Sequence, residues 1–149
     1  MDKMQGGYQA LQIRLLNGRL FQKLLSKEPE AQYRSEQGKI LTILWKQELG
    51  CTTATDIALA TGLANNTLTS MIKKLEDQKL VTVKPCTQDK RRKFVSLTDL
   101  GWAQKEIGDR VSQELGEIFY QGFSDQEIRE FEAFQERIIN NLKKKENEG

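Results

Sequence analysis

Apolar residues recur every three or four positions through most of this chain, and that interval predicts helices. Tyr8, Leu11, Leu15, Leu16, Leu20, Leu24 and Leu25 form a leucine-rich stripe over residues 8–27, which Glu28-Pro29-Glu30 ends. Ile40, Leu41, Leu44 and Trp45 mark the inward face of a second helix from Ser35 to Gln47. Thr53-Ala-Thr-Asp56 is a Thr-x-x-Asp start for a short third helix carrying Ile57, Ala58 and Ala60. Gly62 can supply the positive φ that ends it, and Asn65 or Asn66 can cap the next helix. That fourth helix runs from about Asn66 to Gln78, with Leu68, Met71, Ile72 and Leu75 on its buried face.

The period then changes to two. Leu80-Val-Thr-Val83 and Phe94-Val-Ser-Leu97 are alternating and β-branched, and read as the strands of a hairpin. Pro85 suits a strand end, because it has no N–H for a ladder. Helical periodicity returns with Thr98 as a cap and Asp99 in the first turn of a helix reaching about Gln121. Gly101, Gly108 and Gly116 lie inside this helix, each costing about 1 kcal/mol against alanine. They predict a bend or a close helix contact. Gly122 ends the helix, and Ser124-Asp-Gln-Glu127 is a capping box for the last one. There Ile128, Phe131, Phe134 or Gln135, Ile138 and Leu142 mark the apolar face, Lys143 to Lys145 suit the negative end, and Glu146 to Gly149 should fray.

Two short helices, a hairpin and a further helix are the order of a helix-turn-helix followed by a wing. Such a unit grips a duplex with a helix in the major groove and a β-ribbon tip on the backbone or the next groove. Charge sharpens the picture. The segment from Lys73 to Lys93 holds eight lysines and arginines against three acids, a net +5, where the whole chain carries +2. Phosphate contact calls for this concentration. On the fourth helix, Asn65, Asn66, Thr67, Thr69 and Ser70 are short enough to approach base edges, and Lys73 and Lys74 reach phosphates. An ordinary amphipathic helix with a solvated face would look the same. The tip of the hairpin, with Asp89, Lys90, Arg91, Arg92 and Lys93, favours the DNA reading.

Composition narrows the alternatives. A chain of 149 residues with 38% apolar and 30% charged residues has room for one domain with a sizeable core. No apolar run approaches membrane length and no signal-peptide pattern opens the chain, so the expectation is a cytoplasmic protein with no membrane partner. There is no histidine, which removes the usual general base and the commonest metal ligand. No phosphate-binding glycine loop and no nucleophile-base constellation is present, so no catalytic residue, metal ligand or cofactor is expected. Cys51 and Cys86 are too few for a disulfide framework.

The stretch from Gly62 to Gly101 closely resembles the MarR family of winged-helix transcription regulators. The resemblance is carried by Gly-Leu-x-x-x-x-Leu-Thr-x-Met-Ile-x-x-Leu-Glu from Gly62 to Glu76, then Leu80-Val81, Asp89-Lys90-Arg91 and Val95-Ser-Leu-Thr98-x-x-Gly101. It implies a mainly α fold: a winged helix-turn-helix with a small antiparallel β-wing, flanked by N- and C-terminal dimerisation helices. It further implies one domain over residues 1–149, with a DNA-reading unit at about 35–98 and dimerisation helices at 8–27 and 99–145. A short third strand near Glu48 to Thr52 should pair with the wing. Asp89 would orient Arg91, which would point into the minor groove. The family implies a homodimer on double-stranded DNA, commonly a repressor, and often a small aromatic or phenolic effector between the dimer helices and the reading head. Tyr8, Arg14, Leu15 and Trp45 are the lining residues suggested by location. The chain departs from the family at Lys79, where glycine is usual; a positive φ there would carry strain.

Two other classes stay open at this point. One is a winged-helix protein-interaction module that does not bind DNA, which a near-neutral wing would have favoured. The other is a thiol-based redox-sensing regulator, in which Cys51 and Cys86 pair if the loop and the wing strand touch. Such sensors resembling MarR commonly carry a cysteine near the N-terminal helix, and this chain has none there.

Overall fold

A computed structural model of the protein describes residues 3–89 and 91–148. Among the described residues six α-helices and three strands follow one another as α1 (Gly6–Ser26), α2 (Gly38–Lys46), β1 (Cys51–Thr53), α3 (Ala54–Thr61), α4 (Asn65–Asp77), β2 (Val81–Pro85), β3 (Lys93–Leu97), α5 (Asp99–Phe119) and α6 (Asp125–Glu148). The mainly α winged-helix architecture expected from the sequence is the one observed. The chain divides into two compact units, one up to Leu115 and one from Gly116.

The first unit is built around the stripes read from the sequence. Ile40, Leu41 and Leu44 of α2, Ile57 of α3 and Leu68, Ile72 and Leu75 of α4 are buried together with Leu80, Val81 and Val95 of the sheet. Ile107 and Val111 of α5 and Leu25 of α1 complete this core. Leu24 is half-buried against it, whereas Tyr8, Leu11, Leu15, Leu16 and Leu20 of the α1 stripe are exposed. The segment expected as a helix from Ser35 starts as a 3-10 turn, Ser35–Gln37, before α2 proper.

The sheet has the order β1-β3-β2, antiparallel throughout. Thr52 and Val83 flank Val95 from either side, so β3 is the central strand. Pro85 ends the edge strand β2 opposite Lys93, where a missing donor costs no interior bond. Cys51 faces Ser96 on one side of β3, while Cys86 follows Pro85 on the other. Two strand spacings across and four residues along place them roughly 16 Å apart, well beyond the reach of a disulfide. Both are free thiols.

Local signals decide most boundaries. Thr53 caps α3 by accepting from the Asp56 amide at 3.1 Å, and Gly62 closes it at φ 73°. The start of α4 differs from expectation: its N-cap is Ala64 in extended conformation, with no side-chain cap. Asn65 is already helical, and the Asn66 side chain instead accepts from the Thr67 amide at 2.9 Å. α4 ends in a Schellman motif. The Leu80 amide donates to the Leu75 carbonyl and the Lys79 amide to the Glu76 carbonyl, both at 3.0 Å. Lys79 therefore takes the left-handed position, at φ 67°. Thr98 caps α5 through the Gly101 amide at 3.1 Å and donates its own hydroxyl to the Lys79 carbonyl at 2.6 Å.

Two of the three α5 glycines mark close approaches. A Cβ on Gly101 would lie 2.2 Å from the Leu80 carbonyl oxygen, and one on Gly108 would lie 2.9 Å from the Tyr33 hydroxyl and 3.0 Å from the Trp45 ring. Gly116 faces open space within 4 Å, and nothing in the structure explains it.

In the second unit, the capping box forms as read: the Glu127 amide donates to Ser124 Oγ at 3.1 Å, and the Ser124 amide to Glu127 Oε1 at 2.9 Å. Phe119, Tyr120, Phe123 and Phe131 make an aromatic cluster. Ile128, Phe131 and Gln135 are half-buried, whereas Phe134, Ile138, Ile139 and Leu142 are exposed. The helix continues to Glu148, past the point where fraying was expected.

Candidate nucleic-acid interface and effector cavity

Helix α4 turns Leu68, Ile72 and Leu75 into the core and leaves Asn66, Thr67, Thr69, Ser70, Lys73 and Lys74 exposed around its other sides, while Asn65, on the core-facing side, is exposed in the first turn. Asn66, Thr67, Thr69 and Ser70, predicted to face bases, are thus all accessible. Thr69 donates its hydroxyl to the Asn65 carbonyl at 2.8 Å, which fixes the side chain and leaves its oxygen free to accept. Lys73 is paired with Asp77 one turn on, at 3.0 Å, and that partner raises its pKa.

At the wing tip, Asp89 Oδ1 accepts from both the backbone N–H of Arg91 at 3.0 Å and its Nε at 3.2 Å. These two donors, the backbone one first, hold the Asp89 carboxyl below its usual pKa. The Arg91 side chain is nevertheless 91% exposed. A chelated but solvent-facing guanidinium keeps its direction while its remaining N–H groups stay available. Arg92 and Lys93 are exposed beside it, and the Arg92 carbonyl accepts from Cys86 at 2.8 Å, which closes the hairpin. Lys90, the remaining cation of the tip, lies outside the described residues.

Within the first unit, α1, α2 and α5 enclose a cavity of about 810 Å³. Arg14, Leu15 and Trp45 line it as expected; Tyr8, exposed near the start of α1, is not among its lining residues. Lining cations Arg14, Arg19, Lys39, Lys46 and Lys105 outnumber the acids Glu36 and Asp109, although Lys105 pairs with Asp109 at 2.8 Å. Trp45 is held by a bond from Nε1 to the Gly101 carbonyl at 3.0 Å, and it meets Tyr33 edge-on at 5.9 Å. Tyr33 is 5% exposed, and among the described residues its hydroxyl has no hydrogen-bond partner. Burial, and then the charge of Asp109, push its pKa up to about 12. Among the described residues no cluster of three potential ligands could hold a metal ion, and no helix is long and apolar enough to cross a membrane.

A family model described as the MarR family matches residues 34–93. That segment is similar to the MarR family. Solved structures of this fold align along nearly the whole chain. AbsC, a MarR family transcriptional regulator from Streptomyces coelicolor, superposes with a TM-score of 0.82 at 21% identity, covering 96% of each chain. A mutant MarR from E. coli complexed with operator DNA gives 0.78 at 22% identity, covering 89% of this chain and 91% of that one. BpsR from Bordetella bronchiseptica, whose DNA binding is regulated by 6-hydroxynicotinic acid, gives 0.78 at 21% identity over 91% and 98% of the two chains. At these identities the likeness establishes the fold. No curated protein sequence matches the chain.

The first unit also holds residues that periodicity does not single out. Tyr33 is a lone aromatic between two helices, and nothing in its neighbours announces a buried hydroxyl. Gln37 and Gln104 are buried polar side chains at 5% and 2% exposure, on helices whose apolar stripes drew the attention. A glutamine at an inward helical position was the available signal, since an amide goes inside only where both its ends find partners.

Proposed function

We propose that the protein is a sequence-specific DNA-binding transcription regulator, acting in the cytoplasm as a homodimeric repressor on a pseudo-palindromic operator. A small aromatic or phenolic effector in the α1–α2–α5 cavity would modulate it. The observation that carries this reading is the pair of contacts from Asp89 that present Arg91 at the tip of a basic wing. The exposed polar face of α4 and the excess of cations in the cavity lining support it. In this reading the residues at about 35–98 form the DNA-reading unit, and helices 8–27 and 99–145 dimerise through the uncovered stripes of Tyr8 to Leu20 and Phe134 to Leu142. Two recognition helices then meet half-sites about 34–36 Å apart.

Each side chain has a distinct task. Arg91 enters a narrow A·T-rich minor groove, drawn by its enhanced negative potential. Lys90, Arg92 and Lys93 contact phosphate. Asn66, Thr67, Thr69 and Ser70 meet base edges, where each good contact contributes about 1–3 kcal/mol of discrimination. Six to ten phosphate contacts per dimer lose roughly 10³–10⁵ in affinity between 50 and 200 mM salt.

The test is fluorescence anisotropy on the protein's own promoter region, with Asp89→Ala beside Arg91→Ala and Arg92→Ala. Arg92→Ala is expected to weaken operator and random DNA alike, lowering the salt slope by about one per wing. Asp89→Ala removes a negative charge, which by charge alone favours DNA, yet it is expected to weaken operator binding as Arg91→Ala does. Tighter operator binding by Asp89→Ala would reduce the wing to a cationic patch, and salt-independent binding would remove the DNA reading.

A further inference from the structure

The loop between α1 and α2 carries Tyr33 against the cavity and is tied by side-chain amides to three helices. From α1, Gln22 Oε1 accepts from the Ser35 amide at 2.8 Å. From α5, Gln104 accepts from the Gln32 amide at 2.8 Å and donates to the Glu30 carbonyl at 3.2 Å. From the end of α4, Gln78 donates Nε2 to the Gln32 carbonyl at 2.9 Å. Gln37 donates to Gln78 Oε1 and accepts from the Arg34 amide at 2.9 Å. The peptide groups on either side of Gln32 are therefore held by α5 and by α4, and the next side chain in sequence is Tyr33.

Two features make this more than a set of loop contacts. Gln37 and Gln104 are buried, so a broken bond strands an amide away from water, and the loop and its partners move together. Gln78 is the C-cap of α4 and directly precedes the left-handed Lys79, so a pull on it acts where that helix is fastened to the wing strand β2. At the other end, the Tyr33 hydroxyl is buried with no partner among the described residues. A molecule that brings an acceptor into the cavity offers it one, and thereby favours a shifted position of the ring.

We propose that Tyr33 and the amides of Gln32, Gln37, Gln78 and Gln104 form a strap that transmits occupancy of the cavity to the C-terminal end of α4. Its consequence for DNA rests on the function proposed above; its mechanical part does not. The occupant it serves is a small planar anion with a hydrogen-bond acceptor directed at Tyr33.

Gly108 allows a test without a ligand. A methyl group there would sit 2.9 Å from the Tyr33 hydroxyl, so Gly108→Ala acts as a wedge built into the chain. Four full-length proteins are compared: the parent, Gly108→Ala, Gln78→Met and the double variant. Hydrogen exchange is read at the Gln78, Lys79 and Leu80 amides, which close α4 on the Lys74, Glu76 and Leu75 carbonyls. The wedge is expected to speed exchange there about tenfold in the parent, and less than twofold further once Gln78→Met has cut the strap. Affinity for the promoter DNA should follow the same pattern. An equal effect of the wedge in both backgrounds, or one confined to residues 32–35, α2 and α5, overturns the proposal. Should Gly108→Ala not fold, Tyr33→Leu removes the moving ring and is held to the same comparison. If α4 exchange responds while promoter DNA is not bound, the strap stands and the DNA reading falls. Salt-sensitive DNA binding with independent factors leaves the DNA reading and refutes the strap.

Discussion

Gly101→Ala and Gly116→Ala make the same chemical change in one helix and should move stability in opposite directions. At Gly101 the new methyl would lie 2.2 Å from the Leu80 carbonyl oxygen and 3.0 Å from Leu97 Cδ2. An ordinary carbon–oxygen contact is about 3.3 Å or more, so the start of α5 must retreat by roughly 1 Å. It cannot do so freely. The Leu80 carbonyl accepts from the Thr98 amide at 3.1 Å, and the Gly101 carbonyl accepts from Trp45 Nε1 at 3.0 Å. Overpacking costs about 1–3 kcal/mol and each weakened bond about 1 kcal/mol. The alanine gains about 1 kcal/mol in helix propensity. The net expectation is a loss of about 2–4 kcal/mol. Gly116 meets nothing within 4 Å, so the propensity term stands alone and about 1 kcal/mol of stability is gained. Urea unfolding followed by far-UV circular dichroism measures both. If the two variants fall within about 0.5 kcal/mol of each other, near the noise of neutral surface changes, the close approach does not govern this position.

Lys79→Gly should raise stability by about 0.5–1 kcal/mol, because the left-handed penalty at this Schellman position exceeds the backbone entropy glycine adds; a destabilised variant would refute the assignment. Sedimentation should find a species heavier than the 17.1 kDa chain at micromolar concentration, and charged substitutions at Leu15 and Leu16 should shift it towards monomer. A parent protein that is already monomeric refutes dimerisation through these helices. Tyr33 ionises at about 12 in the folded protein against an ordinary 10.0, so its contribution is fully present below pH 10 and is lost as pH rises towards 12. Tyr33→Phe should flatten that alkaline fall and cost little at neutral pH, since it removes a hydroxyl without a partner; an unchanged alkaline profile would place the hydroxyl in water.

The reading head was legible because its signals are local. A capping threonine, the turn at Gly62 and the change of period at Leu80 each depend on a few neighbouring residues, and each fell where it was read. Asn65 and Asn66 misled because these two good caps sit one and two residues inside the position the turn after Gly62 selects, which Ala64 fills. β1 was expected only through family resemblance; three residues around Thr52 carry no periodicity of their own. The glycines of α5 were visible, but what Gly101 and Gly108 approach depends on Leu80 and Tyr33, far away in sequence. The glutamine strap was hidden for the same reason. Of the residues assigned to the cavity by location, Arg14, Leu15 and Trp45 line it and Tyr8 does not, since a stripe fixes a helix face but not how far along it a neighbour reaches.

The central place of β3 has a consequence for how the chain assembles. The wing hairpin closes a loop of about eight residues between Pro85 and Lys93, whereas pairing Thr53 with Phe94 encloses about 40, including α3 and α4. By chain statistics the wider closure costs about 1.4 kcal/mol more entropy. The hairpin should therefore form early, with β3 as the template onto which β1 docks once α3 and α4 have collapsed. A proline introduced at Val95 would then slow folding of the whole reading head, whereas one at Thr52 would leave the hairpin intact and mainly speed unfolding.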